Sequence, residues 1–253
     1  MTVLAVIPAR LASTRLPNKP LRLLGGEPLI VRVWERVTAI GIADDVVVAT
    51  DAREIADVVE AAGGRAMLTD ESHASGTDRV AEVARAPEFR SVTAVLNIQG
   101  DEPFVSEAAA HGALACVRDG GFELGTAAVR AAADILERPD VVKVVAADTG
   151  RAMYFSRAPI PWLRDPADAP SREGHVLQHL GIYAYTPAAL ARWVALPEHP
   201  LERSERLEQL RPLAAGMAMG VARLNEAAAP GIDTPDDLAR ANERWTHLLA
   251  GRH

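Results

Sequence analysis

The chain has 253 residues, enough for one or two domains and for a sizeable core that needs no staple or metal. An apolar fraction of 49% with 24% charged residues excludes a collagen, a disordered tail and a coiled coil, and no stretch approaches the ~20 apolar residues of a membrane span. A net charge of −7 argues against a nucleic-acid binder, which carries a basic excess, yet leaves room for local cations around an anionic ligand. Met1–Pro8 lacks a basic n-region, so a cytoplasmic protein is expected. Cys116 is alone, which excludes an internal disulfide and a cysteine-based zinc cluster; it reads as a small buried apolar residue. Only Lys19 and Lys143 are lysines. A lysine in so arginine-rich a chain either fills a place a guanidinium cannot or is a chance remnant.

Val3 to Pro8 is a short apolar run, the pattern of a buried parallel strand. A polar loop covers 10–20. A helix follows over 28–40, with Leu29, Val33, Trp34 and Val37 at helical spacing and Pro28 at its start. Next come a strand at 46–50, a helix at 53–62 ended by Gly63-Gly64, a strand at 65–68, a helix at 77–85 and an apolar strand at 92–98. This alternation predicts an α/β fold with a doubly wound, mostly parallel sheet. After Gly121 the rhythm loosens. Strands are expected at 141–146 and 180–185, around a Pro- and charge-rich loop at 157–175. A helix is expected at 201–215, and a last one from Thr234, its cap, with Pro235 first, to 248. The expected organisation is a single domain over 1–253, in which a smaller sub-region follows residue 120 or so.

Ligands of doubly wound sheets sit at the carboxyl ends of the strands, so the loop after the first strand is the first place to look. It reads RLASTRLPNKP and holds no glycine, which excludes both the GxGxxG dinucleotide fingerprint and the P-loop. With it falls an NAD-linked enzyme. The loop does carry Arg10, Arg15, Lys19 and two hydroxyls, Ser13 and Thr14. Side chains of this kind neutralise a polyphosphate, and they equally suit a solvated basic turn.

IPARLASTRLPNKPL resembles the opening signature of the sugar-acid cytidylyltransferases, and of the CMP-Kdo synthetases (3-deoxy-manno-octulosonate cytidylyltransferases) in particular. The resemblance runs on in order through VVVATD, SGTDR, NIQGDEP, VVKVV, YFSRAPIPW, QHLGIYAY, RLEQLR and GIDTPDDL. It implies a nucleotide-diphospho-sugar transferase-like fold. Within it 1–120 is the nucleotide-binding half, 121–230 the acceptor-binding and possible dimer region, and 231–253 a metal-ligand turn and final helix. The implied reaction joins CTP to the anomeric hydroxyl of Kdo, giving CMP-Kdo and pyrophosphate with Mg²⁺. The implied setting is cytosolic lipopolysaccharide precursor synthesis, and the implied assembly a homodimer. Other readings are a different acid acceptor (an amino-Kdo, another ulosonate or a phosphonate carboxylic acid) and a catalytically silent CTP-binding relative.

The resemblance also assigns roles. Asp101, emerging after the apolar strand with Gly100 before it for close ligand approach, and Asp233 hold the metal; the competing role for Asp233 is a helix cap. Lys19, with these two, is catalytic. Pro8, Ala9, Arg10, Ser13, Arg15, Lys19, Ser75 and Arg79 bind the nucleotide, Arg79 and Ser75 at the base; a mere Asp78–Arg79 pair is the plainer reading there. Gln99, Arg157, Arg164, His179, Tyr183, Tyr185, Glu208 and Gln209 bind the acid, the two arginines as carboxylate clamps. Glu102 is expected to face away, and Lys143 to be a structural ion pair. Asn18 replaces a frequent glycine and is expected to keep the turn by adopting a left-handed backbone.

Overall fold

The computed structural model describes residues 1–13 and 15–250, the last three by their backbone alone. Contacts divide the chain into two compact units: Met1–Ser106 with the segment from Ala229 onward, and Glu107–Ala228. The division comes before residue 120 because the helix after Ser106 packs on the second unit's strands.

In the first unit β1 (Val3–Ala9) is buried along its whole length, which is why its sequence is apolar without alternation. Then follow the hairpin β2 (Leu23–Leu24) and β3 (Glu27–Pro28), α1 (Leu29–Ile40), β4 (Asp45–Thr50), α2 (Arg53–Ala61), β5 (Arg65–Leu68), α3 (Gly76–Ala84) and β6 (Ala94–Asn97). The strands run parallel in the order β6-β1-β4-β5, with Val6 between Asn97 and Val47. The carboxyl ends of β1 and β6 therefore emerge side by side.

The second unit contains α4 (Glu107–Arg118), β7 (Leu124–Arg130), β8 (Lys143–Ala146), β9 (Ala152–Ser156), α5 (Ala169–Glu173), β10 (Leu177–Tyr185), α6 (Pro187–Ala195), α7 (Pro200–Glu205), α8 (Leu210–Ala214) and β11 (Met219–Leu224). Its strands lie in the order β11-β7-β10-β8-β9; β11 and β7 are parallel and the other pairs antiparallel. A Cβ at Gly125 would stand 2.1 Å from the Ala113 carbonyl, so glycine lets α4 press onto β7.

Two expectations for this unit change. The helix at 201–215 is two helices, because Arg206 takes a left-handed backbone with φ 54°. That turn exposes the carbonyls of Glu205 and Arg206, and both accept hydrogen bonds from the Arg157 guanidinium. The loop at 157–175 holds a 3-10 turn at Pro166–Asp168 and the short α5.

The chain returns to the first unit and ends in α9 (Pro235–Ala250). Asn242 ties α9 to the β2–β3 hairpin, accepting from Gly25 N at 2.9 Å and donating to Leu23 O at 3.2 Å. Trp245 lies so close that a Cβ on Gly25, at φ +57°, would be 2.3 Å from its ring. Arg32 stacks over the same ring at 4.7 Å.

Candidate functional site

The loop after β1 is shaped by Asn18, which is left-handed at φ 54° and ψ 35° and starts the 3-10 turn Lys19–Leu21. Asn tolerates this conformation, so the turn survives without glycine. Thr14, the loop's second hydroxyl, lies outside the described residues. A Cβ at Gly100 would sit 2.8 Å from the Pro8 carbonyl. The close approach that requires glycine there is thus to the neighbouring strand end, where the sequence suggested a ligand.

Asp101 follows β6, and its carbonyl accepts the Ile232 amide at 3.0 Å. This single backbone bond brings the turn carrying Asp233 to the end of β6. Thr234 and Asp237 form the cap of α9: Asp237 N donates to Thr234 Oγ1 at 3.2 Å, and the Asp237 carboxylate accepts from Asp233 N, Thr234 N and Thr234 Oγ1. With the cap supplied by others, the Asp233 side chain is available to the site.

Lys19 joins the two aspartates. Its Nζ donates to Asp101 Oδ2 at 2.5 Å and to Asp233 Oδ1 at 2.9 Å, while Arg15 Nη2 stands 3.1 Å from Asp233 Oδ2. Burial works against the Lys19 charge, but attraction and hydrogen bonding from Asp101 and Asp233 outweigh it and hold its pKa above the ordinary value. Glu102, the next carboxylate, is not among the residues that line the cavity; it is half-buried, and burial together with the charges of Asp101 and Asp233 pushes its carboxyl up to about 8.

Lys19, Arg15 and the two aspartates open on a cavity of about 780 Å³. Pro8, Ala9, Arg10, Ser13, Arg15, Lys19, Ser75, Arg79, Gln99, Asp101 and Asp233 all line it. Sequence reasoning passed over His73, also on the wall, which pairs with Glu82 at 2.5 Å. Its only signal was its place two residues before SGTDR. The Asp78–Arg79 pair does not form. Asp78 closes a capping box with Ser75 at the start of α3. Arg79, almost wholly buried, donates to Asp51 Oδ2 at 2.8 Å and to the Thr69 hydroxyl, so its guanidinium is rigidly held.

In the second unit Arg157 Nη1 donates to Pro139 O at 2.9 Å and Nε to Glu205 O at 2.8 Å, while its amide donates to Glu205 Oε2. The guanidinium expected to clamp a carboxylate is here engaged by backbone carbonyls. Arg164 is exposed on the 157–175 segment. Lys143, fully buried, departs from the expected ion pair: its ammonium donates to the carbonyls of Arg138, Val141 and Arg157 at 2.9, 2.8 and 2.5 Å. Tyr185 is also fully buried, its ring centroid 5.5 Å from that of Trp193, which makes it a core residue and no surface reader of hydroxyls. Tyr183 lies between Tyr185 and His179. His179 packs edge-on to Phe155 at 4.9 Å, and burial lowers its pKa to about 3. Glu208 is half-buried and Gln209 buried beside the break between α7 and α8.

Among the described residues no three or more His, Cys, Asp or Glu side chains gather as a metal cluster. The pair Asp101 and Asp233 nevertheless suits magnesium. Both are hard oxygen donors, a cationic ammonium already stands between them, and magnesium commonly takes one or two carboxylates with phosphate oxygens and water. No helix among the described residues is long and apolar enough to cross a membrane.

The cytidylyltransferase family model matches residues 4–219. The 3-deoxy-manno-octulosonate cytidylyltransferase of Gemmatimonas aurantiaca is 58% identical over 99% of this chain and 96% of its own. That of Xanthomonas campestris pv. campestris strain 8004 is 47% identical over 94% of this chain and 97% of its own. A solved structure of CMP:2-keto-3-deoxy-manno-octonic acid synthetase complexed with CTP is 36% identical, with a TM-score of 0.90 over 98% of this chain and 100% of that one. The 4-diphosphocytidyl-2C-methyl-D-erythritol synthase of Anaerococcus prevotii, at 16% identity and a TM-score of 0.63 over 97% and 98% of the two chains, is alike in fold alone.

Proposed function

The chain belongs to the 3-deoxy-manno-octulosonate cytidylyltransferase family, and from that membership we propose that it transfers the cytidylyl group of CTP to the anomeric hydroxyl of Kdo, giving CMP-Kdo and pyrophosphate in the cytoplasm. The observation that carries the reading is the convergence of Asp101, Asp233, Lys19 and Arg15 on one cavity that the base-side residues Ser75 and Arg79 also line.

In this reading the anomeric oxygen forms a bond to the α-phosphorus, the bond from that phosphorus to the bridging oxygen of the β-phosphate breaks, and the hydroxyl proton leaves to solvent. The work of the protein is positioning and charge neutralisation. Lys19 has three N–H groups, of which Asp101 and Asp233 take two, so the third serves a phosphate oxygen. Arg10 and Arg15 extend the cationic strip along the triphosphate. Arg79, fixed by Asp51 and Thr69, offers a rigid wall to the cytosine, where a fixed donor loses little entropy on binding. Asp101 and Asp233 would hold Mg²⁺, which supplies Lewis-acid polarisation of the phosphate and a lower pKa for the attacking hydroxyl. His179, Tyr183, Glu208 and Gln209 are the readers of the sugar hydroxyls, with Arg164 for its carboxylate.

The test is pyrophosphate release from CTP with Mg²⁺ against a panel of acids: Kdo, an amino-Kdo, another ulosonate and a phosphonate carboxylic acid. Release with Kdo, and CMP-Kdo as product, is expected. Preference for another acid replaces the acceptor, and tight CTP binding without release with any acid overturns the enzyme reading.

A further inference from the structure

β7 and β10 do not pair evenly. Leu180 faces Ala127, but the next pair is Tyr183 with Thr126, so Gly181 and Ile182 form a bulge. Thr126 is fully buried against this bulge. Its hydroxyl lies 2.7 Å from Ile182 O, 3.4 Å from Leu180 O and 3.0 Å from His179 Nε2.

Proton accounting decides what these contacts are. A hydroxyl has one proton to donate and two lone pairs to accept with. Carbonyl oxygens only accept, so the Thr126 proton goes to the bulge, and to Ile182 O as the nearer oxygen. The contact with His179 Nε2 is then a hydrogen bond only if the ring nitrogen donates. His179 Nε2 therefore carries hydrogen. A desolvated imidazole stays neutral, so Nδ1 holds a lone pair. Phe155 edge-on and Tyr183 at 5.4 Å hold the ring plane.

We infer that Thr126 is a positioning residue: by giving its proton to the bulge it locks His179 in the Nε2–H form, leaving Nδ1 as a hydrogen-bond acceptor for a hydroxyl of the polyol acid. The inference rests on the function proposed above and deepens it. A bare ring nitrogen accepts from an alcohol and repels a carboxylate, whereas an imidazolium would attract the carboxylate. The lock thereby sets which end of a hydroxy-acid meets His179.

The tautomer is read directly from ¹⁵N-histidine-labelled protein without substrate, with His179→Gln identifying the resonance among the seven histidines. At neutral pH the wild-type protein is expected to show a protonated Nε2 and a bare Nδ1. Thr126→Val, which removes the hydroxyl at nearly equal volume, is expected to lose that preference and to raise KM for Kdo about tenfold while leaving KM for CTP unmoved. Thr126→Ser restores both. A wild-type His179 that is charged, Nδ1-protonated or mixed overturns the inference, as does a folded Thr126→Val protein that keeps both tautomer and KM. If Thr126→Val does not fold, the wild-type and Thr126→Ser spectra decide. A protein that keeps the Nε2–H form yet makes no CMP-Kdo overturns the proposed function and the hydroxyl-reading role, while the tautomer lock stands.

Discussion

Asp233 precedes a Thr-Pro helix start, where an aspartate commonly caps, yet the Thr234 hydroxyl and the Asp237 carboxylate fill that office and Asp233 turns to Lys19 and Arg15. Asp101→Asn and Asp233→Asn keep the shape of the side chains and remove the charge. Each is expected to lower kcat at least ~100-fold with an unchanged circular dichroism spectrum, measured by pyrophosphate release. Near-normal turnover in either variant would take that residue out of the pair proposed to hold Mg²⁺. The chain's other lysine answers the question raised by its scarcity. An ammonium spreads three N–H groups in three directions, which is what the carbonyls of Arg138, Val141 and Arg157 meet; a planar guanidinium fork would not. Burial pulls the Lys143 pKa below its ordinary value, the cost of that arrangement. Lys143→Met leaves three inward carbonyls without a donor and is expected to destabilise by about 2–4 kcal/mol, read from the urea midpoint. Lys143→Arg should not restore stability, and full restoration would show that charge alone matters there.

Local signals made the first unit legible. Unbroken apolar runs marked β1, β4 and β6, Gly63 ended α2, and the loop RLASTRLPNKP announced its cations. The nucleotide-side residues named from sequence all line one cavity, and the loop after β1 meets Gln99 and Asp101 there for a topological reason: β1 and β6 are adjacent and parallel, so the segments after them meet. The second unit was less legible because its elements carry weak periodic signals. α4 reads EAAAHGALACVR and β7 reads LGTAAVR, small residues that fit helix or strand, and their identity follows from packing such as Gly125 against Ala113. The break at Arg206 was invisible too, since an arginine in left-handed backbone leaves no trace in composition. Tyr185 was misread because alternation along β10 shows that its side chain shares a face with Tyr183 but does not show how deeply each is buried. At this scale the cap of α9 also acts on the site, because the Asp237 carboxylate holds the backbone on which Asp233 is carried. Asp237→Ala is expected to cost about 1 kcal/mol of stability in thermal unfolding, and to lower kcat about tenfold as the Asp233 turn loosens. Loss of stability with undiminished kcat would mean that the Ile232–Asp101 backbone bond alone places Asp233.

For the molecule as a whole, acid stability combines groups of opposite sign. His179 has a folded-state pKa of about 3 against an ordinary 6.5, so the unfolded chain takes up its proton first. Its contribution to stability is complete above pH 6.5 and is lost as pH falls toward 3. Glu202, burial notwithstanding, is held below its ordinary pKa by the Arg211 guanidinium and the His199 amide, and Asp237 likewise by the Thr234 hydroxyl. Their contributions are present above the ordinary carboxylate range and fade below it. Glu102 works the other way, since a raised carboxyl pKa contributes stability at low pH that is lost as pH rises toward 8. Because Glu102 and His179 oppose each other over the same interval, the total curve between pH 4.5 and 6.5 does not isolate either group. The difference between wild type and His179→Gln does, since every other group cancels. Measured by urea unfolding, wild type should lose about 1–2 kcal/mol relative to His179→Gln between pH 6.5 and 4.5, less than the ~1.4 kcal/mol per unit of a fully sequestered ring because His179 keeps some solvent contact. A constant difference across that interval would mean that the imidazole takes its proton as readily in the folded protein as in the unfolded chain. The ring would then be a mixture of neutral and charged forms near neutral pH, and Thr126 would act on only part of the population.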